Sequence, residues 1–177
     1  FKKNNVALCN AILFSNDNKF NLQKANHLKD KILNHKYLCS ACINSFENLS
    51  FLQKKDYDEF IKFKPFSASL TWNYENQFGG GALSFSGLSF KGKEIIKILN
   101  ENNIILDVAH LNRKSFWDAV KFSKKPILNS HTCFNIKEHR RNVDIEQIKA
   151  IIDTNGFIGI TFVTDFLTSN KKISANY

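Results

Sequence analysis

The sequence has no methionine, only two prolines, and three arginines against 22 lysines in its 177 residues. Each scarcity excludes something. Nucleic-acid sites often concentrate arginine for forked contacts. The formal net charge of +9 is instead carried by lysines scattered among Asn, Ile and Phe, as in the coding bias of an AT-rich genome, so no nucleic-acid partner is expected. Four cysteines, Cys9, Cys39, Cys42 and Cys133, are too few for a disulfide framework, and reduced thiols are the default. Cys39 and Cys42 have CxxC spacing, but no second pair follows, and a pair of buried thiols is the favoured reading. No apolar run reaches the roughly 20 residues that cross a bilayer, so no transmembrane segment is visible. The absent methionine and the opening Phe1-Lys2-Lys3 raise the expectation that the sequence is part of a longer chain.

What is present is an alternation. Apolar, β-favouring runs fall at Val6 to Phe14, Tyr37 to Ile43, Phe66 to Thr71, Ile104 to Ala109, Pro126 to Leu128 and Phe157 to Val163. Amphipathic helical stretches lie between most of them, at Leu22 to Leu33, Asp56 to Phe63, Lys91 to Asn100, Lys114 to Ser123 and Asp144 to Asp153. Gly156 fits a C-cap after the last, and Asn155 tolerates the same left-handed geometry. Such an order predicts an α/β fold with a parallel sheet, either doubly wound or a (β/α)8 barrel. A dinucleotide-binding doubly wound sheet would carry a Gly-rich turn after its first strand, where Phe14-Ser15-Asn16-Asp17 stands instead. A complete barrel needs about 250 residues, so six units here correspond to a barrel with pieces absent.

Functional side chains in either fold gather at the C-terminal strand ends. His110 and His131 each follow an apolar run there, and Glu47 follows the run ending near Ile43. Neutral imidazoles with one carboxylate suit a divalent metal, although each residue could equally be a hydrogen-bonded structural one. Asp107 interrupts the run before His110 and is either an outer partner of a ligand or a carboxylate paired with a neighbouring strand. Ser130-His131 with Cys133 could suggest a nucleophilic hydrolase, but neighbours on a strand face opposite ways and no nucleophile elbow is visible. Gly79-Gly80-Gly81 lacks the lysine of a P-loop and reads as a flexible loop. His139-Arg140-Arg141 is either a solvated basic turn or a fork for a substrate carboxylate.

The stretch "LDVAHLNRKSFWDAVKFSKKPILNSHTCFNIKEHRRNV" closely resembles the membrane (renal) dipeptidase family of zinc peptidases. "SASLTWNYENQFGGGALSFSGLSFKGKEIIKILNENNIILDVAH" upstream is similar to its bacterial branch, and the likeness covers roughly residues 37 to 167. The resemblance implies a (β/α)8 TIM-type barrel with about six of eight units present, residues 1–177 forming one partial catalytic domain. It implies two zinc ions per complete chain, bridged by Glu47, with His110 and His131 on the second. A metal-bridged hydroxide would hydrolyse dipeptides, some with a D-residue at the C-terminal position. Arg141 would hold the substrate carboxylate, with Arg140 as substitute because the spacing from His131 is one residue short.

Trp72 stands where renal-type members carry a substrate-contacting histidine, and Asn73 beside it could add a polar contact. The family's early His-x-Asp and late catalytic aspartate are not in this sequence, so the 177 residues alone are expected to be inactive. The alternative is a catalytically inactive barrel that binds a small ligand or partner. Homodimerisation stays open, and without the resemblance the ligand set would suit other divalent metals too.

Overall fold

In the computed structural model, which describes residues 8–14, 20–33, 41–134 and 139–167, six strands form one parallel sheet in chain order. The strands are β1 (Leu8–Phe14), β2 (Ala41–Glu47), β3 (Ser67–Ser69), β4 (Ile105–Asp107), β5 (Ile127–Thr132) and β6 (Phe157–Ile160). The helices between and after them are α1 (Leu22–Leu33), α2 (Tyr57–Phe63), α3 (Phe90–Glu101), α4 (Arg113–Phe122), α5 (Ile145–Asp153) and α6 (Thr164–Leu167). A doubly wound sheet reverses its strand order at a switch point. Here each strand pairs with the next in sequence, so the molecule is six successive β/α units of a TIM-type barrel.

The core lies between this sheet and its helices. Phe46 on β2 is enclosed by the rings of Phe20, Phe51, Phe60 and Phe63, which ties α2 and the residue pair before α1 to the sheet. Farther along, Ile95, Ile96 and Leu99 of α3 and Phe116 and Ala119 of α4 complete it. Phe116 is thus core rather than a substrate-stacking residue. Polar side chains start the helices where the first amides need acceptors: Ser89 accepts from Gly92 N, Asn112 from Ser115 N, and Asp144 from Gln147 N in a reciprocal capping box.

Several sequence expectations shift. The second strand is displaced towards the C-terminus and ends on Glu47; its anticipated start, with Cys39, lies outside the described residues. The fifth strand runs on through His131 to Thr132, because pairing with β6 extends it beyond its apolar run. At the end of α5 the left-handed residue is Asn155 (φ 57°), not Gly156. Gly156 is small for another reason: a Cβ there would overlap the Ile127 carbonyl. Nor are the three glycines at 79–81 an open loop, since all are buried and Gly79 and Gly81 bridge to Leu88 and Leu111. Cys9 and Cys42, both half-buried, sit opposite each other on β1 and β2, and Cys133 is buried. Among the described residues no helix is long and apolar enough to cross a membrane.

Candidate metal centre

Strand alternation sends Phe46 into the helix-side core and turns Glu47, the last residue of β2, to the other face. His110 comes three residues after β4, in a left-handed conformation (φ 67°) that a side-chain-bearing residue adopts at a cost. The turn is held by Val108 N on the Leu128 carbonyl and by Leu111 N on the Val108 carbonyl. His131 lies within β5, where the pairing with β6 slips between Asn129 and Thr132. Such a bulge re-aims the side chains it contains.

These three residues converge. His110 Nε2 lies 2.9 Å from His131 Nε2 and 3.2 Å from Glu47 Oε1, and one ligand atom from each residue falls within 4.8 Å of the others. Ligand atoms about 2.0–2.2 Å from a tetrahedral zinc lie roughly 3.3 Å from one another, so the set has the dimensions of a metal site. The other ring nitrogens decide its chemistry. His110 Nδ1 is 2.9 Å from Asn73 Oδ1, which can only accept, so Nδ1 carries the proton and the neutral ring presents a lone pair at Nε2. His131 Nδ1 is 2.8 Å from Ser130 Oγ. Two ring nitrogens and a carboxylate oxygen converging on one point form the donor set of a divalent cation.

Charge states agree. Burial pushes the Glu47 carboxyl up, but once the rings protonate in acid the His110 hydrogen bond and the positive charge of His110 and His131, with that of Arg141, bring it below the ordinary value. Burial lowers His110, against the pull of Glu47, and lowers His131 to about 4, with Arg141 adding to it. At neutral pH the centre therefore offers one carboxylate and two neutral imidazoles, the protonation state that metal binding requires.

This has a consequence for the metal-free protein. Between pH 6.5 and about 4 an unfolded His131 takes up a proton that the folded one refuses, so stability falls as pH drops through that window. Glu47 acts in the same direction at lower pH, because its depressed folded pKa gives stability that is lost as the carboxylate protonates. Denaturant unfolding of chelator-treated protein should show a midpoint that falls progressively below pH 6.5. A midpoint unchanged down to pH 4 would contradict these assignments.

Around the centre, Trp72 tilts over the His110 ring at 5.9 Å and is itself met by the tilted ring of Phe14 at 5.4 Å. Its backbone is fixed because a Cβ at Gly81 would overlap the Trp72 carbonyl and Leu83 N binds the Asn73 carbonyl. Trp72, Asn73, His110, Arg140, Arg141 and Phe166 share a cavity of about 510 Å³. The two arginines separate here. Arg140 is exposed, over the Phe85 ring, whereas Arg141 is buried, donates to the His131 carbonyl at 3.3 Å and keeps its Nε without a partner among the described residues. Burial lowers its guanidinium to about 10 against the opposing pull of Glu47 and Asp107. The basic-turn reading therefore fits Arg140 and not Arg141.

Sequence reasoning set Ser130 aside because strand neighbours face apart, yet the bulge lets its hydroxyl reach the ring of His131. No sequence signal marks such a bulge. The sequence leaves Asp107 either an outer partner of a ligand or a carboxylate paired with a neighbouring strand. Its Oδ1 accepts from Ala109 N at 3.0 Å and from Ser130 N at 3.1 Å.

The profile of the membrane dipeptidase family (peptidase family M19) matches residues 7–176. The chain belongs to this family. An uncharacterized dipeptidase from Schizosaccharomyces pombe is 29% identical over 106 residues, 56% of this chain and 26% of its own. An uncharacterized protein from the PQQ-III 3′ region of Acinetobacter calcoaceticus is 31% identical over 114 residues, 59% of this chain and 36% of its own. Among solved structures, an amidohydrolase from Pseudomonas aeruginosa superposes with a TM-score of 0.76 at 24% identity, over 91% of this chain and 56% of that one. A metallopeptidase from Rhodobacter sphaeroides, liganded with a phosphinate mimic of the dipeptide L-Ala-D-Ala, gives 0.74 at 22%, over 82% and 50%. The chain thus spans about a third of the first curated relative and about half of each of these structures.

Proposed function

We propose that this chain carries part of the active site of a zinc-dependent dipeptidase, within a single catalytic barrel domain. One observation carries the reading: the Nε2 atoms of His110 and His131 and a Glu47 oxygen meet at the C-terminal ends of parallel strands, with both rings held by their Nδ1 atoms. Glu47, His110 and His131 would hold the metal. When bound, a zinc pair there would supply Lewis acidity towards the peptide carbonyl and lower the pKa of a water. Arg141 forks onto the substrate carboxylate, which gives its buried Nε and charge a partner. Trp72 walls the centre from solvent, and its indole N–H is a donor only, so it can hold an oxygen but cannot move a proton. Asn73 has its Oδ1 committed to His110, which leaves its Nδ2 for the substrate side. The L-Ala-D-Ala mimic in the Rhodobacter sphaeroides structure supports dipeptides with a C-terminal D-residue as the substrate class.

The full-length protein is expected to bind two zinc ions per chain and to hydrolyse L-Ala-D-Ala, to lose that activity on chelation and to regain it with added zinc. Full activity in metal-free protein would refute the proposal. A zinc-loaded protein that leaves a panel of dipeptides intact would establish the non-catalytic barrel instead.

A further inference from the structure

A carboxylate buried in the middle of a sheet needs a reason, and Asp107 has an unusual set of contacts. Its Oδ1 accepts from the peptide N–H of Ala109, the residue before His110, and from that of Ser130, the residue before His131. One oxygen atom thereby ties together the left-handed turn that aims one ring and the bulge that aims the other. The Ser130 hydroxyl, beside the pinned amide, lies 2.8 Å from His131 Nδ1.

We propose that Asp107 is a positioning residue for both histidines: one of its oxygens pins the peptide before each and so sets both Nε2 atoms towards the centre. Each ring is then held by its own partner at Nδ1, Asn73 Oδ1 for His110 and Ser130 Oγ for His131. Burial pushes the Asp107 carboxyl up, and the donors at Ser130 and Ala109 pull it back, which is the pattern of a carboxylate kept for its hydrogen bonds. The inference rests on the metal-centre reading above, but its first test needs no metal.

In the full-length, chelator-treated protein, NMR should detect hydrogen-bond couplings from the Ala109 and Ser130 amides to the Asp107 carboxyl carbon, and both amides should lose protection from hydrogen exchange in Asp107→Ala. Zinc affinity of that variant, measured by competition with a chromophoric chelator, should fall about 10- to 100-fold, the range for losing an outer partner of a ligand. Asp107→Asn, whose carboxamide oxygen can still accept both amides, should restore most of it. If Asp107→Ala does not fold, the wild-type couplings decide. Their absence, or an Asp107→Ala protein that binds zinc as tightly as wild type, would overturn the proposal. If wild-type protein binds no zinc, the proposed function fails while the couplings still decide the role of Asp107.

Discussion

Glu47→Gln in the full-length protein is expected to weaken zinc binding by well over 100-fold and to reduce dipeptide hydrolysis with it. The substitution is nearly isosteric, so the core around Phe46 on the next position of β2 should not move. The site changes in two ways. A negative charge that sits against both imidazoles disappears, and with it the main electrostatic support for a cation among neutral rings. In its place stand amide protons, which can donate to the His110 Nε2 lone pair and occupy the position a metal would take. Loss of an outer partner costs about 10- to 100-fold in affinity, and loss of a charged ligand must exceed that. The checks are zinc competition for affinity and hydrolysis at saturating zinc for activity. Wild-type affinity in this variant would remove Glu47 from the ligand set.

Arg141→Ala should raise KM for dipeptides by at least roughly 30-fold, corresponding to the lower end of the about 2–5 kcal/mol associated with truncating one partner of a buried charged pair. Arg141→Lys should recover only part of this, since an ammonium cannot form the two-pronged contact. Specificity for the carboxylate is read with a dipeptide amide as control. Wild type should handle the amide poorly, and Arg141→Ala should show little additional loss on it, so the effects of substrate and protein changes should not add. Additive losses would assign Arg141 a structural role through its bond to the His131 carbonyl. Arg140→Ala, on an exposed residue over Phe85, should leave KM close to wild type.

The fold was largely legible because its cues are local. Apolar runs separated by amphipathic stretches marked all six strands and five of the six helices to within a few residues, and the short α6 was the helix without a sequence counterpart. The largest displacement is in β2, where the strand continues through Asn44, Ser45 and Glu47, polar residues that periodicity assigns to a loop. These belong to the strand because parallel pairing with β1 and the faces of the barrel accept polar side chains that a two-sided apolar core would not.

The residue types of the candidate site were legible too, since a strand-end rule places Glu47, His110 and His131 on one rim without any knowledge of distances. Sequence alone therefore determined the parallel β/α architecture, the family and the identity of three candidate ligands. Only the tertiary structure decided how they are aimed: that Arg141 rather than Arg140 is buried at the cavity, that Asn73 meets one ring and Ser130 the other, and that one Asp107 oxygen accepts the amides before both. The physical reason is range. Periodicity and capping act within a few residues, whereas Asn73 meets His110 across 37 positions and Asp107 meets Ser130 across 23, contacts that exist only once β3, β4 and β5 have paired in register.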